Sequence, residues 1–144
     1  MPSHPTKGNM VSPLKHSVLL MFFVLMATSE AGFFKKRRVH VVISNDIAPG
    51  IGLKIHCKSK DDDLGEHILP NKGTWGFTFR PNFWGTTQFF CSFVWQSTLR
   101  YFDAFISERD YNEGHPDVAW SIIPMGPCKF NYATNSSDIC FPWN

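Results

Sequence analysis

The sequence predicts an all-β fold, a small antiparallel β-sandwich of about eight strands stabilised by disulfides. Three observations carry that expectation. Apolar and polar residues alternate from residue 39 onward, turn residues interrupt the alternation at short intervals, and all four cysteines of the chain fall in the same stretch. Strict alternation is the pattern of a strand with one buried and one wet face.

Each strand can be read in order. Leu53, Ile55 and Cys57 alternate with Lys54, His56 and Lys58. Trp75, Phe77 and Phe79 alternate with Gly76, Thr78 and Arg80, and Phe89, Cys91, Phe93 and Trp95 with Gln88, Phe90, Ser92 and Val94. Val, Ile, Phe, Trp and Thr suit a half-buried pleated surface. Turn chemistry bounds these runs at 46–52, 60–65, 70–73, 81–85, 112–117 and 124–127, each rich in Gly, Pro, Asn or Asp. The expected strands are therefore 39–46, 52–59, 66–70, 74–80, 87–96, 99–107, 118–123 and 128–132. Many short strands with frequent turns indicate a sandwich or barrel. No helical stripe of useful length occurs after residue 31.

The N-terminus reads as a targeting segment. Residues 18–27 form an unbroken apolar run after a polar stretch that carries Lys7 and Lys15 and no acid. The run has the length of a signal-peptide core and is about half the ~20 apolar residues a spanning helix needs. Small residues Ala27, Ser29 and Ala31 allow cleavage after Ser29 or after Ala31. The expected organisation is a signal peptide over 1–31 and one secreted domain over 32–144. That domain opens with a basic arm at 32–38 containing Lys35-Lys36-Arg37-Arg38, read as a disordered charged terminus. No stable membrane insertion of the mature chain is expected.

Apolar residues make up 43% of the 144, enough for a core, and the aromatic share of 15% is high. The formal net charge of +2 is too small and too scattered for a nucleic-acid binder. Cys57, Cys91, Cys128 and Cys140 are an even set in a short secretory chain, which implies two disulfides of open pairing. Cys57 and Cys91 both fall on apolar faces, so bridging through the sandwich core is expected. No two cysteines have zinc-site spacing. Asn135-Ser136-Ser137 is an acceptor tripeptide for N-glycosylation.

Chemistry has few footholds. Asp61, Asp62 and Asp63 are consecutive carboxylates, but their spacing is not that of a calcium loop, and a solvated turn accounts for them. His56 and His67 flank that turn and are the sharpest enzymatic option, an acid–base pair of a secreted hydrolase or ribonuclease. The chain has no nucleophile elbow, no His-Glu-x-x-His and no phosphate loop. A defence protein acting on microbial membranes through 35–38 is a further option. No cofactor and no metal are called for, and a monomer is expected.

Several blocks then carry a resemblance. Val41-Val42-Ile43-Ser44-Asn45-Asp46, the stretch from Leu53 through His56-Cys57-Lys58-Ser59 to Asp62-Asp63-Leu64-Gly65, and Phe83-Trp84-Gly85-Thr86-Thr87-Gln88-Phe89-Phe90-Cys91-Ser92-Phe93 are similar to plant self-incompatibility S-protein homologues. So are Trp75-Gly76-Phe77-Thr78-Phe79, Trp120-Ser121-Ile122, Gly126-Pro127-Cys128 and Cys140-Phe141-Pro142-Trp143-Asn144. Many such proteins carry Cys-x-x-Cys-x-Trp before the tail; here His115 and Val118 stand at those positions. The resemblance implies a secreted, extracellular, disulfide-bonded β-sandwich that is a ligand and not an enzyme. Its partner would be a cell-surface receptor protein, as with stigma determinants recognised by pollen. Recognition would fall on the loops 61–66, 81–85 and 107–117, with Asp61, Asp62, Asp63, Glu66, Asn82, Trp84, Arg109 and Asp110 as candidate contacts.

Overall fold

The computed structural model describes residues 13–33 and 35–144. Helix α1 (Pro13–Phe33) carries the apolar run and forms a unit separate from the β unit of Lys36–Asn144. No helix among the described residues is long and apolar enough to cross a membrane. The polar stretch expected to precede the signal-peptide core lies mostly at residues 1–12, outside the described residues.

The β unit holds nine strands: β1 (Val39–Asn45), β2 (Leu53–Lys58), β3 (Asp63–Leu69), β4 (Thr74–Phe79), β5 (Gln88–Trp95), β6 (Thr98–Ile106), β7 (Val118–Ile123), β8 (Gly126–Asn131) and β9 (Ser136–Cys140). A one-turn helix α2 (Ser107–Asp110) follows β6. One sheet has the order β4-β1-β7-β8-β9 and the other β3-β2-β5-β6. All neighbours are antiparallel except β1 and β7. Two sheets facing one another is the sandwich that the alternation predicts.

The alternating residues fill the interior. Val39, Val41 and Ile43 of β1, Leu53, Ile55 and Cys57 of β2, Phe89, Cys91 and Phe93 of β5, and Val118, Trp120 and Ile122 of β7 are all buried. A chain of rings runs through the same layer from Trp75 to Phe77, Phe89, Phe79 and Phe105, with centroids 4.5–5.3 Å apart. Offset and edge-on ring pairs of this kind add to burial alone. At one seam His67 stacks on Trp75 at 4.1 Å. At the other, the C-terminal tail closes the gap: Trp143 lies against Phe93 and Trp95, and the Asn144 N–H donates to the Tyr101 carbonyl of β6. Gly126 makes this passage possible, because a Cβ there would sit 2.0 Å from the Phe141 carbonyl oxygen.

The disulfides join Cys57 to Cys91 and Cys128 to Cys140. Each connects directly opposed residues on neighbouring strands of one sheet, β2 with β5 and β8 with β9. The expected bridging through the core is therefore corrected: neither bond spans the two sheets. Facing antiparallel positions alternate between wide and close pairs, and the close ones bring cysteines within reach of one another. Cys57 and Cys91 lie on the core face. Cys128 pairs in register with Ser121, so the second bridge lies on the outer face of its sheet.

Three expected boundaries also change. β3 begins at Asp63 instead of residue 66, β8 begins at Gly126 ahead of Pro127, and β9 falls where no strand is expected. β9 is an edge strand with every residue exposed, so it shows no alternation to read.

Candidate functional site

Strand register gathers the loops. β2 ends where β5 begins (Lys58 opposite Phe90), β5 begins where β6 ends (Gln88 opposite Ile106), and β4 ends where β1 begins (Phe79 opposite Val39). β1 runs parallel to β7, and β8 ends beside the start of β7. One end of the sandwich thus collects residues 36–38 of the basic arm, the β2–β3 turn, the β4–β5 loop, the α2 segment with its following loop, and the β8–β9 turn. All three loop regions named from the sequence reach this end.

Side chains there divide into builders and free groups. In the β2–β3 turn, the Ser59 hydroxyl oxygen accepts the Asp61 and Asp62 N–H groups, which leaves both carboxylates exposed. Asp63 behaves differently. It lies in β3, pairs with His56 at 2.5 Å, accepts the Gly65 N–H at 2.9 Å and faces Lys58 at 3.6 Å. The His56 and Gly65 hydrogen bonds hold its carboxyl below the usual range. Glu66, expected in a loop, is mid-strand on the outer face and pairs with Lys54.

The β4–β5 loop is braced around Asn82. Its side-chain oxygen accepts the Thr86 N–H, its amide donates to the Thr86 hydroxyl, and its N–H donates to the Thr87 hydroxyl. Gly85, at φ 70°, turns the chain back. Trp84 is held at the tip and is 80% exposed. Between this loop and the β2–β3 turn lies a cleft of about 740 Å³ lined by Lys60, Asp61, Asp62, Arg80, Trp84 and Gln88 above Phe79 and Phe89. Of these, Lys60, Arg80 and Gln88 escape a sequence reading, because nothing in their spacing marks them as neighbours.

Arg109 and Asp110 are builders rather than exposed recognition groups. The Asp110 side chain has no exposed surface; it accepts from Arg109 at 2.7 Å, from Lys129 at 3.1 Å and from the Ile106 N–H at 2.9 Å. The Arg109 guanidinium sits among the rings of Phe102, Trp120 and Phe141 at 4.8–5.3 Å. Beside them a second cleft of about 330 Å³ is lined by Tyr111, Asn112, His115 and Tyr132, with His115 stacked on Tyr132 at 4.9 Å. Lys36 and Arg37 of the arm are docked, against the expectation of a disordered terminus. The Arg37 N–H donates to the Tyr111 hydroxyl, its guanidinium donates to the Glu113 carbonyl, and Lys36 lies over the Tyr111 ring. Asn135 occupies the β8–β9 turn, exposed and at φ 55°.

The histidine pair does not form. His56 faces outward, whereas His67 pairs with the inward-facing Ile55, donates from Nε2 to the Leu64 carbonyl and stacks on Trp75. The two rings project from opposite faces of one sheet, so the His56–His67 pair expected for a hydrolase is not formed. His56 does meet Asp63, and Ser92 lies opposite it in β5, but the three stand on the outer face of the sheet and line neither of the two clefts described above. Among the described residues no three His, Cys, Asp or Glu side chains are placed to hold a metal ion.

Residues 40–143 match the family model described as plant self-incompatibility protein S1. The chain belongs to this family. Among relatives in Arabidopsis thaliana, S-protein homolog 20 is 44% identical over 130 residues, covering 89% of this chain and 90% of the relative. S-protein homolog 19 is 40% identical over 130 residues, covering 87% and 95%. A solved structure of a self-incompatibility protein homologue, described as one of a widespread family of small, highly stable, secreted proteins from plants, superposes with a TM-score of 0.52 at 20% identity. That match covers 76% of this chain and 96% of the solved one, and it supports the sandwich fold. In this S-protein homologue, His115 is stacked on Tyr132 and Val118 is buried.

Proposed function

We propose that this S-protein homologue is a secreted protein ligand read by a plant cell-surface receptor through the loop end of its sandwich. The observation that carries the reading is the gathering of independent loops at one end of a scaffold that two disulfides and a closed aromatic core make rigid. Family membership and the description of its relatives as secreted support an extracellular location. The reading assigns the chain no catalytic step, since its Asp–His pair stands on an open face, and it follows the resemblance to stigma determinants only as far as the ligand role.

Rigid loops suit recognition because little conformational entropy is lost when they dock. The end also presents both signs of charge, with Asp61 and Asp62 on one turn and Lys36 and Lys60 nearby. Charges at an interface act chiefly on encounter and on partner choice. The test is a charge reversal at each end. Asp61→Lys with Asp62→Lys should weaken binding of labelled protein to receptor-bearing plant membranes by about tenfold or more. Met125→Lys, in the β7–β8 turn at the far end, should leave it unchanged. Equal loss from both changes would refute the assignment.

A further inference from the structure

The β4–β5 loop holds an indole largely in solvent. Trp84 is 80% exposed, and its ring meets Phe83 edge-on at 5.1 Å. The loop beneath it is not slack: the Asn82 side chain and the Thr86 and Thr87 hydroxyls tie it together. The Ser107 N–H and hydroxyl bind the Thr87 carbonyl and anchor the loop to α2. A large ring held rigid, exposed and beside a cleft is arranged as a platform for a ligand.

The polar groups of the same cleft narrow the ligand class. Lys60, Asp61, Asp62, Arg80 and Gln88 line it, and their side chains form no hydrogen bond or ion pair among the described residues. Two cations stand against two anions, so the cleft has no formal charge of its own. A polyanion would meet Asp61 and Asp62, and a polycation would meet Lys60 and Arg80. A neutral ligand rich in hydroxyls satisfies all of them, because a hydroxyl donates to a carboxylate and accepts from a guanidinium, an ammonium or an amide. Sugars combine such hydroxyls with an apolar C–H face, which lies flat on an aromatic ring. The volume of about 740 Å³ is within the range of small-ligand sites.

We propose that this cleft binds a neutral oligosaccharide, with one sugar ring stacked on the Trp84 indole and the hydroxyls shared among Asp61, Asp62, Arg80 and Gln88. The assignment goes beyond the receptor reading. A chain whose membrane binding depends on its loop end but which binds no oligosaccharide would lose this assignment alone.

The probes are neutral hexasaccharides of the β-1,4-glucan, xylan, mannan and galactan types, with an oligogalacturonate as the anionic comparison. Calorimetric titration of the full secreted chain should show binding of at least one neutral probe. Trp84→Ala should weaken it by about tenfold or more, and Trp84→Phe by less. Raising NaCl to about 0.5 M should change the affinity by no more than about twofold, because no net charge is being neutralised. Gln88→Ala, at an exposed cleft position, reads the same site should Trp84→Ala fold poorly. The assignment is overturned if no neutral probe binds up to about 10 mM. It is also overturned if folded Trp84→Ala binds like the wild type, or if oligogalacturonate alone binds in a salt-sensitive manner.

Discussion

Asp110 has no exposed side-chain surface, and two cations and a backbone N–H surround it. Its partner Arg109 is in turn packed on three rings, so the carboxylate fixes how α2 sits against both sheets. Removing one member of a buried ionic cluster leaves the rest uncompensated, at a cost of about 3–5 kcal/mol. Asp110→Ala should therefore lower the unfolding free energy by about that amount in urea titration. A loss below about 1 kcal/mol, typical of an exposed pair, would contradict this role. The sequence placed Asp110 among recognition contacts because a charged residue next to a turn normally faces water. It is buried against Lys129, nineteen residues away, and against Arg109, which is itself packed on Trp120, and local pattern carries no record of such partners. Asp61, Asp62 and Trp84, by contrast, are exposed loop residues as the sequence indicates, since nothing distant competes for them.

The strands divide in the same way. β1, β2, β5 and β7 alternate cleanly in burial, because each has one face in the core. β9 does not, because its five residues are all exposed and its pairing with β8 is fixed by hydrogen bonds and the Cys128–Cys140 bond. The two disulfides accordingly differ in setting. Closing loops of 34 and 12 residues, they restrict the unfolded chain by about 4 and about 3 kcal/mol. Cys57–Cys91 is sealed in the core, whereas Cys140 lies in the open on an edge strand. Exposed bridges are the ones a thiol reaches first. Graded dithiothreitol with alkylation and peptide mapping should label Cys128 and Cys140 at concentrations about tenfold lower than Cys57 and Cys91. Labelling of all four cysteines together, or of the core pair first, would show that exposure does not set the order.

Across the whole molecule, acid bears on both ends of the sandwich. Asp46, near the end opposite the recognition loops, is pushed up by partial burial, but hydrogen bonds from Lys72 and Ser121 outweigh this and hold its carboxyl below the usual range. Asp63 is held low by His56 and Gly65, and Asp138 by the hydroxyl of Thr134 and by Asn131. In each case the unfolded chain binds a proton more readily than the folded one. The stabilisation is therefore complete above about pH 4 and is lost as pH falls through the lower folded values. Urea midpoints of wild type and Asp46→Asn should differ at pH 6 and converge toward pH 2; a constant difference would contradict the pairing. The scaffold was legible from alternation and cysteine count. The meeting of its loops was not, since register between strands far apart in sequence decides it. Two exposed, oxidisable side chains mark the ends: Trp84 at the recognition loops, 80% exposed, and Met125 at the far turn, 86% exposed. Hydroxyl-radical footprinting of the protein, free and bound to receptor-bearing membranes, reads both at once. Protection of Trp84 with Met125 still oxidised is the predicted result, and protection of Met125 with Trp84 still oxidised would contradict the account.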